Sequence, residues 1–315
     1  MVNEIKDKKQ AILELLYQAR GKTLSGVKIS EAIQISRVAV WKHINALKEF
    51  GFPINSQPRG YLLSNPDDLL LPFCFDGDFK DRIHHFQEVE TTMDTAKALA
   101  RNGAPHLTCV IAENQTRGRG RLNRQWVSSR GGLWFTLILK PDLPPALVYI
   151  YNFAASLSLS RVLNRLFDLD ISVKWPNDLL LGGQKLAGML SEMETQADMV
   201  KFLTIGIGIN VNNNPASNEF TATSLKNALN QRVSRKQILT EFLYEFKNRI
   251  QKIDCPAIIN LWKEQTSTIG NLVRIETIDR TYEGKAVDVD ETGALIIEDD
   301  QKKSRKIIYG DCFHA

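Results

Sequence analysis

Apolar residues keep a helical spacing from the start of the chain: Ile5, Ile12, Leu15, Leu16 and Ala19 predict a first helix that ends near Gly21. Ser25 can cap a second, short helix that turns Ile29 and Ile33 inward. After a brief turn at Gln34 and Ile35, Ser36 can cap a third, in which Val40, Ile44 and Leu47 recur at i, i+4 and i+7 until Gly51 stops the pattern. Strand-like segments follow over 52–56 and 60–63 around the turn residues Gln57, Pro58, Arg59 and Gly60. The polar run from Ser64 to Asp68 marks a domain boundary, so 1–65 is expected to form one domain.

Farther on, residues 70–81 give no clear pattern. A strand is predicted over 84–89, a polar turn over 90–94 and a short helix over 95–101 with alanines at 96, 98 and 100. Strands over 108–112 and 133–139 flank a long polar loop, and a mostly apolar helix is expected over 148–167. Two strand-like segments then flank Trp175-Pro176-Asn177-Asp178, where proline forbids a regular ladder. Lys185 opens another strand. In the strand over 202–211, Gly206 and Gly208 fall on one face with Asn210, which strips that face of side chains. An amphipathic helix over 235–253, a short helix ending at Trp262, and short strands over 272–277, 282–289, 294–298 and 306–308 complete the chain, giving domains at 66–269 and 270–315.

Charge adds a location to this outline. Residues 1–65 hold ten Lys or Arg against five Asp or Glu, a net of +5, while the whole chain carries +4. The basic excess therefore sits on the predicted helix-turn-helix, whose third helix carries Ser36, Arg37, Trp41, Lys42, Asn45 and Lys48, with Arg59 at the tip of a wing. DNA is the partner this arrangement suits; a small helical interaction module is the plainer alternative. Cys74, Cys109, Cys255 and Cys312 lie far apart with no histidine cluster, which argues against a disulfide framework or a metal centre and fits the cytoplasm. The apolar window over 146–163 is broken by Asn152, serines and Arg161, so a buried helix is expected there and no membrane span.

The loop over 112–132 is the densest chemistry in the chain, with Arg117, Arg119, Arg121, Arg124 and Arg130 among four glycines. Guanidinium forks match phosphate and carboxylate oxygens, so the loop suits an enclosed anion; a solvated basic loop is the alternative. No G-x-x-x-x-G-K-[ST] motif occurs, and G-R-G-R-L-N ends in Asn123 where a dinucleotide fingerprint needs glycine or alanine.

Taken together, E-x-Q-x-x-G-R-G-R, a following tryptophan, K-W-P-N-D, K-L-A-G and G-I-G-I-N-V-N, in this order behind a winged helix, resemble the biotin protein ligases, and in particular the bifunctional biotin operon repressors. The resemblance implies an α+β chain with a central mixed or antiparallel sheet of class II synthetase-like type and a C-terminal SH3-like barrel. It also implies formation of biotinyl-5′-AMP from biotin and ATP with Mg²⁺, and transfer of biotin to a lysine of the biotin carboxyl carrier protein of acetyl-CoA carboxylase. Arg119, Arg121 and Lys185 match the catalytic cations. Thr91, Thr92, Gln115, Gly118, Gly120, Gly188, Gly206 and Gly208, with those cations, match biotin-side positions, and Trp126, Asn177, Asp178 and Asn210 match nucleotide-side positions. A homodimer in the adenylate-bound state is implied as well. The chain departs from the family at Asn123, where glycine is usual, and at Met93, where some members carry asparagine. A lipoate or octanoate ligase and a biotin sensor without turnover are the rival readings.

Overall fold

Serine caps start the second and third helices. The computed structural model describes residues 8–215 and 222–314, so Ile5 lies outside the described residues. The chain divides into two compact units, Met1–Lys80 and Asp81–Ala315. In the first, helix α1 (Lys8–Gln18) buries Ile12, Leu13 and Leu16. Leu13 takes the inward place expected of Leu15, because periodicity gives a stripe while packing against the next two helices fixes its phase. The Oγ of Ser25 accepts from Lys28 N to start α2 (Gly26–Ile33), and that of Ser36 accepts from Ala39 N to start α3 (Arg37–Glu49). Ile29, Ile33, Val40, Ile44 and Leu47 are buried as the spacing predicts. Strands β1 (Ile54–Gln57) and β2 (Gly60–Leu63) pair from Ile54 opposite Leu63 to Gln57 opposite Gly60, leaving Pro58 and Arg59 as the turn. Residues 66–80, without a sequence pattern beyond the polar stop, contain short 3-10 turns and cluster with this unit, where Phe73 meets Tyr17 edge to face at 5.7 Å.

The second unit is built on a seven-stranded sheet. Its strands are β3 (Ile83–Val89), β4 (Thr108–Gln115), β5 (Leu133–Leu139), β6 (Ile171–Lys174), β7 (Asp178–Leu181), β8 (Gln184–Gln196) and β9 (Met199–Ile209), in the order β3-β4-β5-β9-β8-β7-β6. Only β3 and β4 run parallel, so the sheet is mixed. Helix α4 (Thr92–Arg101) starts inside the stretch that reads as a polar turn, because Thr91 Oγ accepts from Met93 N and caps it early. Its Ala96 and Ala100 pack on Val110, Ile138 and Phe202. On the other face, Phe135 meets Phe242 of a later helix. Covering on both faces explains why every residue of β5 is buried.

Helix α5 (Tyr149–Phe167) has the length and hydropathy of a membrane span, yet most of it is buried between β6 and two helices, α7 (Arg235–Ile250) and α8 (Cys255–Lys263), which follow the short α6 (Leu225–Leu229). Helix α7 stops at Ile250, short of the expected 253, before an aspartate-capped start to α8. The chain ends in a five-stranded antiparallel sheet, β13-β12-β11-β10-β14, formed by β10 (Leu272–Glu276), β11 (Thr281–Val289), β12 (Leu295–Glu298), β13 (Ser304–Ile307) and β14 (Asp311–His314). The strand β14 escapes sequence reading because it is only four residues long and half polar. It pairs with β10 through Ile275 opposite Cys312. Trp175 anchors this sheet to the central one: its indole Nε1 donates to Gly293 O at 3.0 Å and its backbone N to Thr268 Oγ1 at 2.9 Å.

A buried ion pair ties the base of the arginine loop to α7. Arg235 Nη1 donates to Glu113 Oε2 at 2.7 Å and to Gly132 O at 3.2 Å, and His85 Nε2 lies 3.2 Å from Glu113 Oε1. Burial opposes the Glu113 charge, but the His85 hydrogen bond and the Arg235 charge outweigh it and hold the carboxyl down to about 2, from an ordinary 4.5. The stabilisation is therefore complete above the ordinary value and is lost as pH falls through the range toward 2. Glu113→Gln is expected to lose about 3–5 kcal/mol at pH 7, the usual cost of breaking a buried pair. Thermal unfolding followed from pH 6 to pH 3 should show a smaller decline in the variant than in the parent.

Candidate functional site

A cavity of about 1010 Å³ opens on the α4 face of the sheet and reaches the C-terminal strands. Its floor follows from the alternation along β9. Phe202 packs under α4, but farther along the same face Gly206 and Gly208 present no side chain, and they lie opposite Leu190 and Gly188 of β8. Neighbours already fill the space a side chain would take. A Cβ on Gly206 would stand 2.8 Å from Met93 Sδ, and one on Gly208 would stand 2.5 Å from Trp126 Nε1. The Trp126 indole thus rests on the floor, edge to face with Trp134 at 6.4 Å, and its Nε1 is buried without a partner. Because there is no slack above Gly208, Gly208→Val is expected to destabilise the protein by about 1–3 kcal/mol, the usual cost of overpacking, which denaturant unfolding would measure.

The wall beyond the floor is a hydrogen-bonded chain of polar side chains. Thr92 donates from its backbone N at 2.8 Å and its Oγ1 at 3.1 Å to Gln115 Oε1, while Gln115 Nε2 donates to Ser128 Oγ at 2.7 Å. Thr136 on β5 joins Thr92 Oγ1 at 2.8 Å. Gln115 is thereby fixed in orientation at the point where β4 ends and the arginine loop begins.

The loop is an irregular hairpin. Gln115 bridges to Ser128 and Arg119 to Gln125, with the turn over 121–123. Gly118 is sterically required, since a Cβ would lie 2.3 Å from Trp126 O; at Gly120 the nearest atom is 3.4 Å away, so a small side chain has room. Within the turn Leu122 takes a left-handed backbone, with φ 49°.

The cations divide by partner. Arg119 Nη2 pairs with Asp94 Oδ1 at 2.6 Å at the rim. Arg121 Nη1 donates to Asn177 Oδ1 at 3.2 Å, and its Nε lies 4.0 Å from Asp311 Oδ1. Burial works against the Arg121 charge, and Asp311 and Asp178 support it. Arg124 Nη1 lies 2.9 Å from Asp311 Oδ2. Lys185 Nζ is 2.8 Å from Asp178 Oδ2 and 5.3 Å above the Trp126 ring, while Asp178 Oδ1 is buried without a partner. Asn177 is itself clamped: its Nδ2 donates to Met189 O, and Met189 N donates back to Asn177 O at 2.9 Å. Asn210 is buried at the end of β9, where its Oδ1 accepts from Asn213 Nδ2 at 2.9 Å. Burial and nearby Lys174 hold His314 down to about 4, so this cavity residue is neutral at pH 7.

In the first unit, Arg37, Trp41 and Lys42 are exposed on α3, Asn45 and Lys48 are half-buried beside them, and Arg59 is exposed at the wing tip. Ser36 is occupied as a cap, and Lys48 Nζ donates to Ser56 Oγ of the wing at 2.8 Å.

Residues 85–212 match the biotin/lipoate A/B protein ligase family, residues 8–62 an HTH domain and residues 268–315 the biotin protein ligase C terminal domain. Over 314 residues the chain is 35% identical to the bifunctional ligase/repressor BirA of Bacillus spizizenii, covering 95% of this chain and 96% of that one. The chain belongs to the bifunctional ligase/repressor branch of the biotin protein ligases. BirA of Bacillus subtilis is likewise 35% identical, over 303 residues, with 91% and 93% of the two chains covered. A solved biotin protein ligase from Aquifex aeolicus, in complex with biotin and ATP, superposes with a TM-score of 0.63 at 27% identity, over 74% of this chain and 98% of that chain.

The cavity of this ligase/repressor gathers every ligase position expected from the sequence except Gly118, which serves the closure of the loop. Sequence reading placed Arg124 only among the cations of the loop, and it missed Ser128, Thr136 and Asp311. For Ser128 and Thr136 no local signal exists, because each matters only through a partner on another strand. Asp311 would have required recognising β14.

Proposed function

We infer that the protein is an ATP-dependent biotin protein ligase fused to a DNA-binding repressor module. One observation carries the ligase reading: Lys185 and Arg121 meet at a cavity whose floor, at Gly188, Gly206 and Gly208, has no side chains. In the first step a carboxylate oxygen of biotin attacks the α-phosphorus of ATP. The bond from that phosphorus to the bridging oxygen breaks, and pyrophosphate leaves. Two anions must approach, so Lys185, Arg119 and Arg121 offset their repulsion and the charge that builds on phosphorus. In the second step the neutral ε-amine of the acceptor lysine attacks the acyl carbon, the bond to AMP breaks, and the amine gives up a proton.

In this reading Thr91, Thr92 and Gln115 face the polar end of biotin, and the glycine floor lies under its rings. A ligand on that floor lifts the indole of Trp126, which then becomes available to stack on adenine beside Asn177 and Asn210. Asp178, whose Oδ1 has no partner, would hold Mg²⁺, which commonly takes only one or two carboxylates beside substrate phosphates and would supply neutralisation of the phosphate charge. The modules in this reading are 1–65 for DNA, 66–269 for catalysis, of which 66–80 pack with the first unit, and 270–315 as the C-terminal domain. The acceptor is the biotin carboxyl carrier protein of acetyl-CoA carboxylase. Adenylate binding orders the arginine loop and favours a homodimer that sets two winged helices on a two-fold operator.

Biotin-dependent exchange of labelled pyrophosphate into ATP, with purified protein and no acceptor, tests the central claim. Exchange with biotin and not with lipoate or octanoate is expected. Exchange with lipoate or octanoate alone would make it a lipoate-type ligase, and no exchange with any of them would leave a sensor without turnover.

A further inference from the structure

Two large apolar side chains stand out on the helix that faces DNA in this reading. Val38 is 64% exposed and Trp41 55% exposed on α3, whose other stripe, Val40, Ile44 and Leu47, is fully buried. Val38, Trp41, Lys42 and Asn45 stand at i, i+3, i+4 and i+7, so they form one outward stripe. Neither apolar residue supports the core, and leaving either in water costs free energy. Both lie in the first half of the helix, the half that reaches base edges when a recognition helix enters the major groove.

The surroundings select the occupant. Lys42 stands within the stripe, Arg37 and Arg59 of the same unit are exposed, and residues 1–65 carry a net +5, so the two apolar side chains lie in cationic surroundings. The floor of a major groove has the complementary layout, with phosphates at both sides. Among the four bases only thymine offers an apolar group there, its C5 methyl. A second protein would also cover an apolar stripe, but the charge around it favours a polyanion.

We propose that Val38 and Trp41 read thymine methyl groups in the major groove, so that the target DNA carries thymine at the positions facing them. This rests on the DNA-binding reading of the first unit and adds which base feature is recognised.

The test uses the full chain with biotin and ATP. A target is selected from a library of random duplexes, then resynthesised with uracil in place of one thymine at a time, which removes only the methyl. About fourfold weaker binding per methyl is expected at one or more positions, as the burial of one such group implies. Trp41→Ala and Val38→Ala should each bind thymine and uracil duplexes equally at one of those positions. Uniform binding to every uracil duplex by the parent protein would overturn the proposal while leaving DNA binding in place. Should no duplex be enriched, and any binding stay flat as salt is raised, the DNA reading itself fails, because phosphate contacts release counterions and fall steeply with salt.

Discussion

Lys185→Ala is expected to lower biotin-dependent pyrophosphate exchange by about 10²–10³-fold, the scale on which one charge-stabilising donor acts in a transition state. The ammonium stands 2.8 Å from Asp178 Oδ2 and holds a partly buried carboxylate whose other oxygen has no partner. Removing it takes away a cation and also leaves a bare anion at the place where two further anions must meet. Both changes raise the barrier more than they weaken binding of neutral parts of the substrate. The fall should therefore lie mainly in kcat, with biotin affinity changed far less. Steady-state exchange against direct biotin titration separates the two, and a variant that exchanges at the parental rate would remove Lys185 from the mechanism. A protein that only senses biotin would keep its DNA response in this variant, which gives a second readout.

Arg121→Gly is expected to keep the first step measurable and to lose hold of its product. The Arg121 guanidinium donates to Asn177 Oδ1 at 3.2 Å and faces Asp311 at 4.0 Å, so it links the loop to the turn after β6 and to the C-terminal strand β14. A charge-assisted hydrogen bond contributes about 1.5–3 kcal/mol, so release of the adenylate should rise roughly 10- to 100-fold. Free mixed anhydride acylates accessible amines, and a bystander protein mixed with the variant, biotin and ATP should acquire biotin on scattered lysines. Mass spectrometry of that protein provides the check. Labelling no greater than with the parent would mean that the loop is held shut by other contacts, Arg124 with Asp311 foremost.

Much of this site is written locally. Serine before an apolar stripe specifies a capped helix because its hydroxyl can satisfy a free backbone N–H, and Ser25 and Ser36 do so. Glycines two apart in a strand must share a face, which is why the bare floor at Gly206 and Gly208 is legible in the chain itself. The motif residues around Arg119, Asn177 and Lys185 can be recognised for the same reason: their spacing within each segment survives folding unchanged. Their partners cannot. Asp94 for Arg119, Ser128 for Gln115, Thr136 for Thr92 and Asp311 for Arg124 are brought together by strand order and loop path, and no period or spacing in the chain encodes those pairings.

Local pattern therefore specifies the helix caps, the winged helix, the stripped strand and the set of cations. Long-range packing sets the rest: which anion holds each cation, that Gly118 and not Gly120 is sterically required, that Leu122 takes a left-handed backbone, and that Trp126 rests on the glycine floor. The physical reason is range. Backbone hydrogen bonding and side-chain alternation act over a few residues, whereas ion pairs and van der Waals exclusion act between whichever groups the fold makes neighbours.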